Sequence, residues 1–152
     1  MKETVLVLIK PDGMQKRIVG NVLDRFLAGG LDLAGLKLVK VSRALAEKHY
    51  GHLRGQFFFE EIVTYLTGDL HDGNPVVAMV FCAKDAVRKC RRIAGATNPE
   101  EADPQSVRGS FGRITTKGVF ENLVHVSSDK KEAAREIRLW FKKSELLRQG
   151  KL

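Results

Sequence analysis

The chain has 152 residues, enough to bury a real core and most naturally one domain spanning residues 1–152. Hydrophobic residues make up 43% of it and charged residues 29%, ordinary globular values that exclude a disordered chain. A formal net charge of +8 favours an anionic partner (nucleic acid, anionic lipid or a phosphorylated small molecule) without choosing among them.

The β-branched, apolar stretch Thr4 to Ile9 predicts a first strand, stopped by Pro11-Asp12-Gly13. Val19, Val22, Leu23, Phe26 and Leu27 then recur at helical intervals, and Gly29-Gly30 is a natural helix end. Leu36, Leu38, Val39 and Val41 mark a second strand. "ALAEKHYGHL" and "EEIVTYL" read as short helices on either side of Phe57-Phe58-Phe59. "PVVAMVFC" is a buried strand, "DAVRKCRRIAG" a helix and "ENLVHV" a last short strand. "KKEAAREIRLWF" closes as an amphipathic helix with Ile137, Trp140 and Phe141 on one face. This β-α-β-α-β-α-β-α order permits a doubly wound parallel sheet or a split βαβ, ferredoxin-like sheet. The chain has neither G-x-G-x-x-G nor G-x-x-x-x-G-K-[ST], which weighs against the first.

No stretch of about 18 apolar residues exists to span a membrane, and the N-terminus lacks a signal-peptide cleavage site, so a cytoplasmic location is expected. Cys82 and Cys90 have no metal-ligand spacing and are expected to be reduced core filler.

Four histidines bear on chemistry. His49 and His52 are three apart on a helix, but no third ligand of suitable type is near in sequence, so a surface or packing role is expected. His71, in "TGDLHDGN", reads as a solvated loop residue. His125 ends a strand, two serines and an aspartate follow Val126, and Glu136 comes on the next helix. A carboxylate or hydroxyl that fixes the tautomer of a strand-end histidine is how an imidazole nucleophile or base is set up. Taken alone, a histidine in an apolar run is more often a core residue. A nucleoside triphosphate, however, needs cations on its phosphates, a hydroxyl or two, and Mg²⁺ held largely by the phosphates themselves. Lys10, Arg91, Thr97, Arg108 (in the loop "SVRGSF") and Asn122 would supply such a set, and Phe58 a stacking face for a base.

"LVLIKPDGMQKRIVG", "HYGHL…FF", "PVVAMVF", "GATNP…SVRGSF", an Asn-x-x-His at Asn122 and "REIRLWFKKSEL" occur in the order found in nucleoside diphosphate kinases. The chain resembles that family from about Thr4 to about Leu147. The resemblance implies a ferredoxin-like α/β sandwich, a four-stranded antiparallel sheet covered by helices. It implies His125 as the nucleophile, phosphorylated on its pros nitrogen by a nucleoside triphosphate and discharged, in ping-pong order, to a nucleoside diphosphate. Lys10, Tyr50, Arg91, Thr97, Arg108 and Asn122 match the positions that contact phosphate and ribose. Phe58 matches the base-stacking aromatic, and Ser127 with Glu136 the pair that orients the histidine. Mg²⁺ would come with the nucleotide, and a homo-oligomer, tetramer or hexamer, is implied.

The chain departs from the family in three places. The small residue usual after the histidine is Val126; because "LVHV" reads as continuous strand, Val126 is expected at ordinary β dihedrals. The segments 67–74 and 112–121 are several residues longer than usual. The chain also ends soon after "SELL", without the long tail some members use in assembly. Two competing readings are a ferredoxin-like module that binds single-stranded nucleic acid and a catalytically silent family member. The first lacks the aromatic strand pattern it needs, and the second conflicts with the retained catalytic positions.

Overall fold

The structure, a computed structural model, describes residues 1–147; the stretch after "SELL" otherwise lies outside the described residues. The elements are β1 (Glu3–Ile9), α1 (Pro11–Gln15), α2 (Val19–Ala28), β2 (Asp32–Val39), α3 (Arg43–His49), α4 (Phe59–Thr67) and β3 (Val76–Ala83). They continue with α5 (Ala86–Ala94), α6 (Val107–Phe111), β4 (Arg113–Ile114), β5 (Phe120–Glu121), β6 (Val124–Val126) and α7 (Lys130–Trp140). Four strands form one sheet in the order β2-β3-β1-β6, every neighbour antiparallel. That is the ferredoxin-like arrangement, with the α3–α4 pair inserted between β2 and β3.

Alternation along β1 and β3 divides the core into two layers. Val5, Val7, Ile9, Met79 and Phe81 face α2 and α5, where Phe26 stacks on Phe81 with ring centroids 5.3 Å apart. Leu6, Leu8, Ala78 and Val80 face α3, α4 and α7, packing on Val63, Leu66, Ile137 and Trp140. The strands are buried on both faces, and so β1 and β3 read as unbroken apolar runs.

Three sequence readings are corrected. Pro11-Asp12-Gly13 does not merely stop the first strand; Pro11 opens α1, a position that needs no N–H. "SVRGSF" is not loop but α6, capped by the Ser106 side chain accepting from Gly109 N–H at 3.1 Å. "ENLVHV" is not one strand: Phe120–Glu121 pair with β4, and only Val124–Val126 join the main sheet. The break falls at Leu123, whose φ of +68° turns the chain between the two. A buried leucine in the left-handed region costs on the order of 1–2 kcal/mol. Two bonds hold it there: its N–H donates to Asp12 Oδ2 at 3.0 Å, and its carbonyl accepts from Lys10 N–H at 2.8 Å.

Candidate active site

β6 sets the direction of His125. Its register on β1 pairs Leu8 with His125, Val7 with Val126 and Ile9 with Val124. His125 therefore lies on the α3/α4/α7 face, and the two valines face the α2/α5 layer. Val126 is buried there and is not among the positive-φ residues, as the strand pattern predicted. The unusual backbone sits at Leu123, two residues before the histidine instead of one after it.

From α7, buried Glu136 reaches His125: Oε1 lies 3.0 Å from Nε2. A carboxylate can only accept, so Nε2 carries the hydrogen and Nδ1 keeps its lone pair. The second carboxylate oxygen accepts from the Ser127 hydroxyl at 2.6 Å. Ser127 Oγ in turn accepts from Leu6 N–H at 3.2 Å, tying the triad to the sheet. Burial pushes the Glu136 carboxyl upward, but the bonds from His125 and Ser127 and the charge of Arg135 outweigh it and hold it below its usual range. Glu136 is thus an ion that locks one tautomer.

The N-terminal side brings His49, fully buried, to within 4.4 Å of the His125 ring, centroid to centroid, at 81°. Trp140 Nε1–H donates to His49 Nδ1 at 3.1 Å, so the His49 hydrogen is on Nε2, a buried donor with no partner among the described residues. Burial, then the charges of His125 and Arg135, push its pKa well below the ordinary value. Ligand atoms of His49, His125 and Glu136 lie within 4.8 Å of one another. They do not suit a metal, because a protonated Nε2 has no lone pair to give while Trp140 occupies Nδ1. The sequence had offered His49 a surface or packing role. It packs, and against His125, a position that its helical spacing from buried Ala46 could have signalled.

His125 opens into a cleft of about 670 Å³ lined also by Lys10, Tyr50, Phe58, Thr97, Arg108 and Asn122. Lys10 is buried, its Nζ bonded to Asn122 Oδ1 and lying 4.3 Å from the centre of the Tyr65 ring. Burial lowers its pKa from 10.5 to about 8, Asp12 opposing and Arg108 reinforcing the shift. Asn122 Nδ2 donates to the Thr97 carbonyl at 2.8 Å. Arg108 donates to three backbone carbonyls: Gly95 at 2.8 Å, Val124 at 2.7 Å and Asn122 at 3.3 Å. Of its five N–H groups, two have no partner among the described residues and are available to an anion. Burial, then the charge of Arg91, bring its pKa down to about 10. Gly109 lets α6 pack against the backbone that precedes it: a Cβ there would sit 2.0 Å from the Asp103 carbonyl oxygen. Burial, with the Glu136 charge adding to it, raises the Tyr50 phenol, which stays a hydrogen-bond donor.

Two predicted residues stand differently. Arg91 is exposed on α5 and lines a separate cleft with Glu3, Asp85 and Ser128, and its charge reaches Arg108 in the main cleft. His71 is not solvated but buried, its Nε2 3.0 Å from Glu121 Oε1. A Gly/Asp-rich loop suggests exposure, yet the turn folds inward over the end of α4.

Comparison with known proteins agrees with the geometry. Residues 3–146 match the sequence profile described as nucleoside diphosphate kinase. A nucleoside diphosphate kinase of Picosynechococcus sp. is 48% identical over 144 residues, 95% of this chain and 91% of that protein. One from Bacillus licheniformis is 43% identical over 150 residues, 99% of this chain and 95% of that protein. Among solved structures, a halophilic nucleoside diphosphate kinase from Halobacterium salinarum in complex with CDP superposes with a TM-score of 0.89 at 33% identity, covering 99% of this chain and 95% of that one. A transition-state mimic of the Borrelia burgdorferi enzyme with bound vanadate and ADP gives 0.88 at 27% identity, covering 99% and 93%.

Proposed function

The chain belongs to the nucleoside diphosphate kinase family and is a phosphotransferase of that kind, and from this premise we propose that His125 Nδ1 is the atom that carries the phosphoryl group. The observation behind the assignment is the Ser127–Glu136–His125 chain of hydrogen bonds, which protonates Nε2 and leaves Nδ1 nucleophilic at the mouth of the cleft. Nδ1 attacks the γ-phosphorus of a nucleoside triphosphate, the bond to the β-phosphate oxygen breaks, and the diphosphate leaves. A terminal oxygen of a second nucleoside diphosphate then attacks the same phosphorus, and the N–P bond breaks. Glu136 stabilises the positive charge that grows on the imidazole. Lys10 and Arg108 face the charge on the transferring group, Asn122 holds Lys10, and Tyr50 and Thr97 add polar contacts. Phe58 presents a face on which any base can stack. Arg91 adds longer-range positive potential.

Mg²⁺ fits this cleft as a companion of the nucleotide, since among the described residues Glu61 is the single acidic side chain lining it. When bound, it neutralises phosphate-oxygen charge. We read residues 1–152 as one domain of a homo-oligomer, a tetramer or hexamer. Leu36 and Leu38, 51% and 64% exposed on the edge strand β2, support assembly. Among the described residues no helix is long and apolar enough to cross a membrane. Two free buried thiols fit the reducing cytoplasm. Nucleic acid is at most a secondary partner of the basic surface. The test is to incubate the protein with γ-labelled ATP: acid-labile label should be held by the wild type and absent from His125→Ala, and label retained by that variant would reject the assignment.

A further inference from the structure

The two segments that are longer than usual for the family meet one another beside the cleft. β4 and β5 have two residues each, too few to hold a hairpin in place by their own ladder. The hairpin they form nevertheless supplies Gly118, Val119 and Phe120 to the cleft wall, in the same cleft as Phe58. What holds the hairpin is Glu121, its last residue, with 6% of its surface exposed. One carboxylate oxygen receives the His71 ring at 3.0 Å; the other receives Arg113 Nε, with Lys16 Nζ at 3.8 Å.

His71 is presented from a rigid turn. Its carbonyl accepts from both the backbone and the side chain of Asn74, at 2.9 and 2.8 Å, and its N–H donates to the Gly68 carbonyl at 2.8 Å. Gly68 has φ +91°, and a Cβ there would lie 2.3 Å from the Asn74 carbonyl oxygen. The His71 ring packs edge-on to Tyr65, centroids 4.8 Å apart, on helix α4. With Nε2–H given to Glu121, His71 Nδ1 is buried with no hydrogen-bond partner among the described residues, so the bond to Glu121 is the one polar contact the ring makes there.

We propose that His71 and Glu121 are a positioning pair that fixes the β4–β5 hairpin as a wall of the nucleotide cleft and so sets how tightly the nucleotide is held. The proposal rests on the placement of the nucleotide beside His125. Neither residue lines the cleft. Loosening the hairpin therefore weakens the grip on substrate, while the Ser127–Glu136–His125 chain, anchored on β1 and α7, keeps its geometry.

The experiment is single-turnover phosphorylation of the enzyme by labelled ATP, read as the half-saturating ATP concentration and the rate at saturation. His71→Ala should raise the half-saturating concentration about tenfold, the scale of one buried bond to a charged group, with the saturating rate within about twofold of wild type. His71→Gln, whose amide N–H can still reach Glu121, should restore most of the affinity. Unchanged affinity in His71→Ala, or a loss confined to the saturating rate, overturns the pair's role. If His71→Ala does not fold, exposed Arg113→Ala frees the same carboxylate from its other side, and the same two readings decide. A wild type that takes no label overturns the placement of the nucleotide itself, before any variant is made.

Discussion

Replacing Lys10 with Met should make the nucleotide-free protein more stable and the enzyme slower. Lys10 is 8% exposed, and among the described residues it has no carboxylate in ion-pair range. Its fall from 10.5 to about 8 means that the ionised form costs the fold about 3 kcal/mol, at about 1.4 kcal/mol for each factor of ten. Met removes that cost and keeps most of the volume. It also strips Asn122 Oδ1 of a donor, a loss of about 1 kcal/mol, for a net gain near 2 kcal/mol at pH 7. The sign with pH follows from linkage. Below about pH 8 Lys10 is charged in both the folded and the unfolded chain, and the cost is present in full. Between about 8 and 10.5 the folded chain releases the proton first, so wild-type stability rises relative to the variant; above 10.5 the cost is gone. Urea unfolding of both proteins, without nucleotide, should find the variant ahead at pH 7 and behind by about 1 kcal/mol near pH 10.5. Turnover should fall by roughly a hundredfold, since the desolvated cation proposed to face the transferring group is lost. A variant less stable at pH 7, by a margin that does not change with pH, would refute the reasoning.

Arg108→Ala should lower turnover by roughly tenfold or more and also destabilise the fold by about 2–4 kcal/mol, because three carbonyls lose their donor; unfolding and turnover measured together check both losses. Glu136→Gln should slow transfer roughly 10- to 100-fold by releasing the His125 tautomer. Since the folded carboxyl lies below its ordinary range, its stability is present above about pH 4.5 and lost on acidification below it, so the Gln variant should show a shallower acid limb in a stability–pH curve. Val126→Gly should leave turnover nearly unchanged and lower stability by about 1–3 kcal/mol, as a buried β-branched side chain leaves the α2/α5 layer; a large gain in turnover would contradict the assigned backbone path. His49→Phe should cost about 1–3 kcal/mol by leaving the Trp140 indole N–H without an acceptor, measurable as a lower midpoint in thermal unfolding.

What could be read in the sequence was whatever a local pattern encodes. The long apolar runs of β1 and β3, the amphipathic helices α2 and α7, and the strand-end histidine with serine and glutamate in reach all lie within short windows. The parallel-or-antiparallel ambiguity did not yield to element order, because pairing is a long-range property; the family resemblance resolved it. β4 and β5 were missed since two-residue strands have no period. The break at Leu123 was missed because its support comes from Asp12, 111 residues away. His71 was misjudged for the same reason: its turn is polar in composition, and the partner that buries it is 50 residues further on. Arg91 was recognised as a helical cation, but which side of α5 meets the cleft depends on how the helix docks.

Arg108 contacts the peptide groups of Gly95, Asn122 and Val124, not their side chains. Every residue type offers that carbonyl, so as far as Arg108 is concerned Val124 is free to drift among side chains that fit the strand. Selection from a randomised library should therefore tolerate substitution at 124 far more readily than at 108 itself, where even Lys lacks the fork to span three acceptors. The Arg108 guanidinium is in this sense insulated from sequence change in the strand that carries His125, leaving that strand able to diverge in core packing without moving the cation beside it.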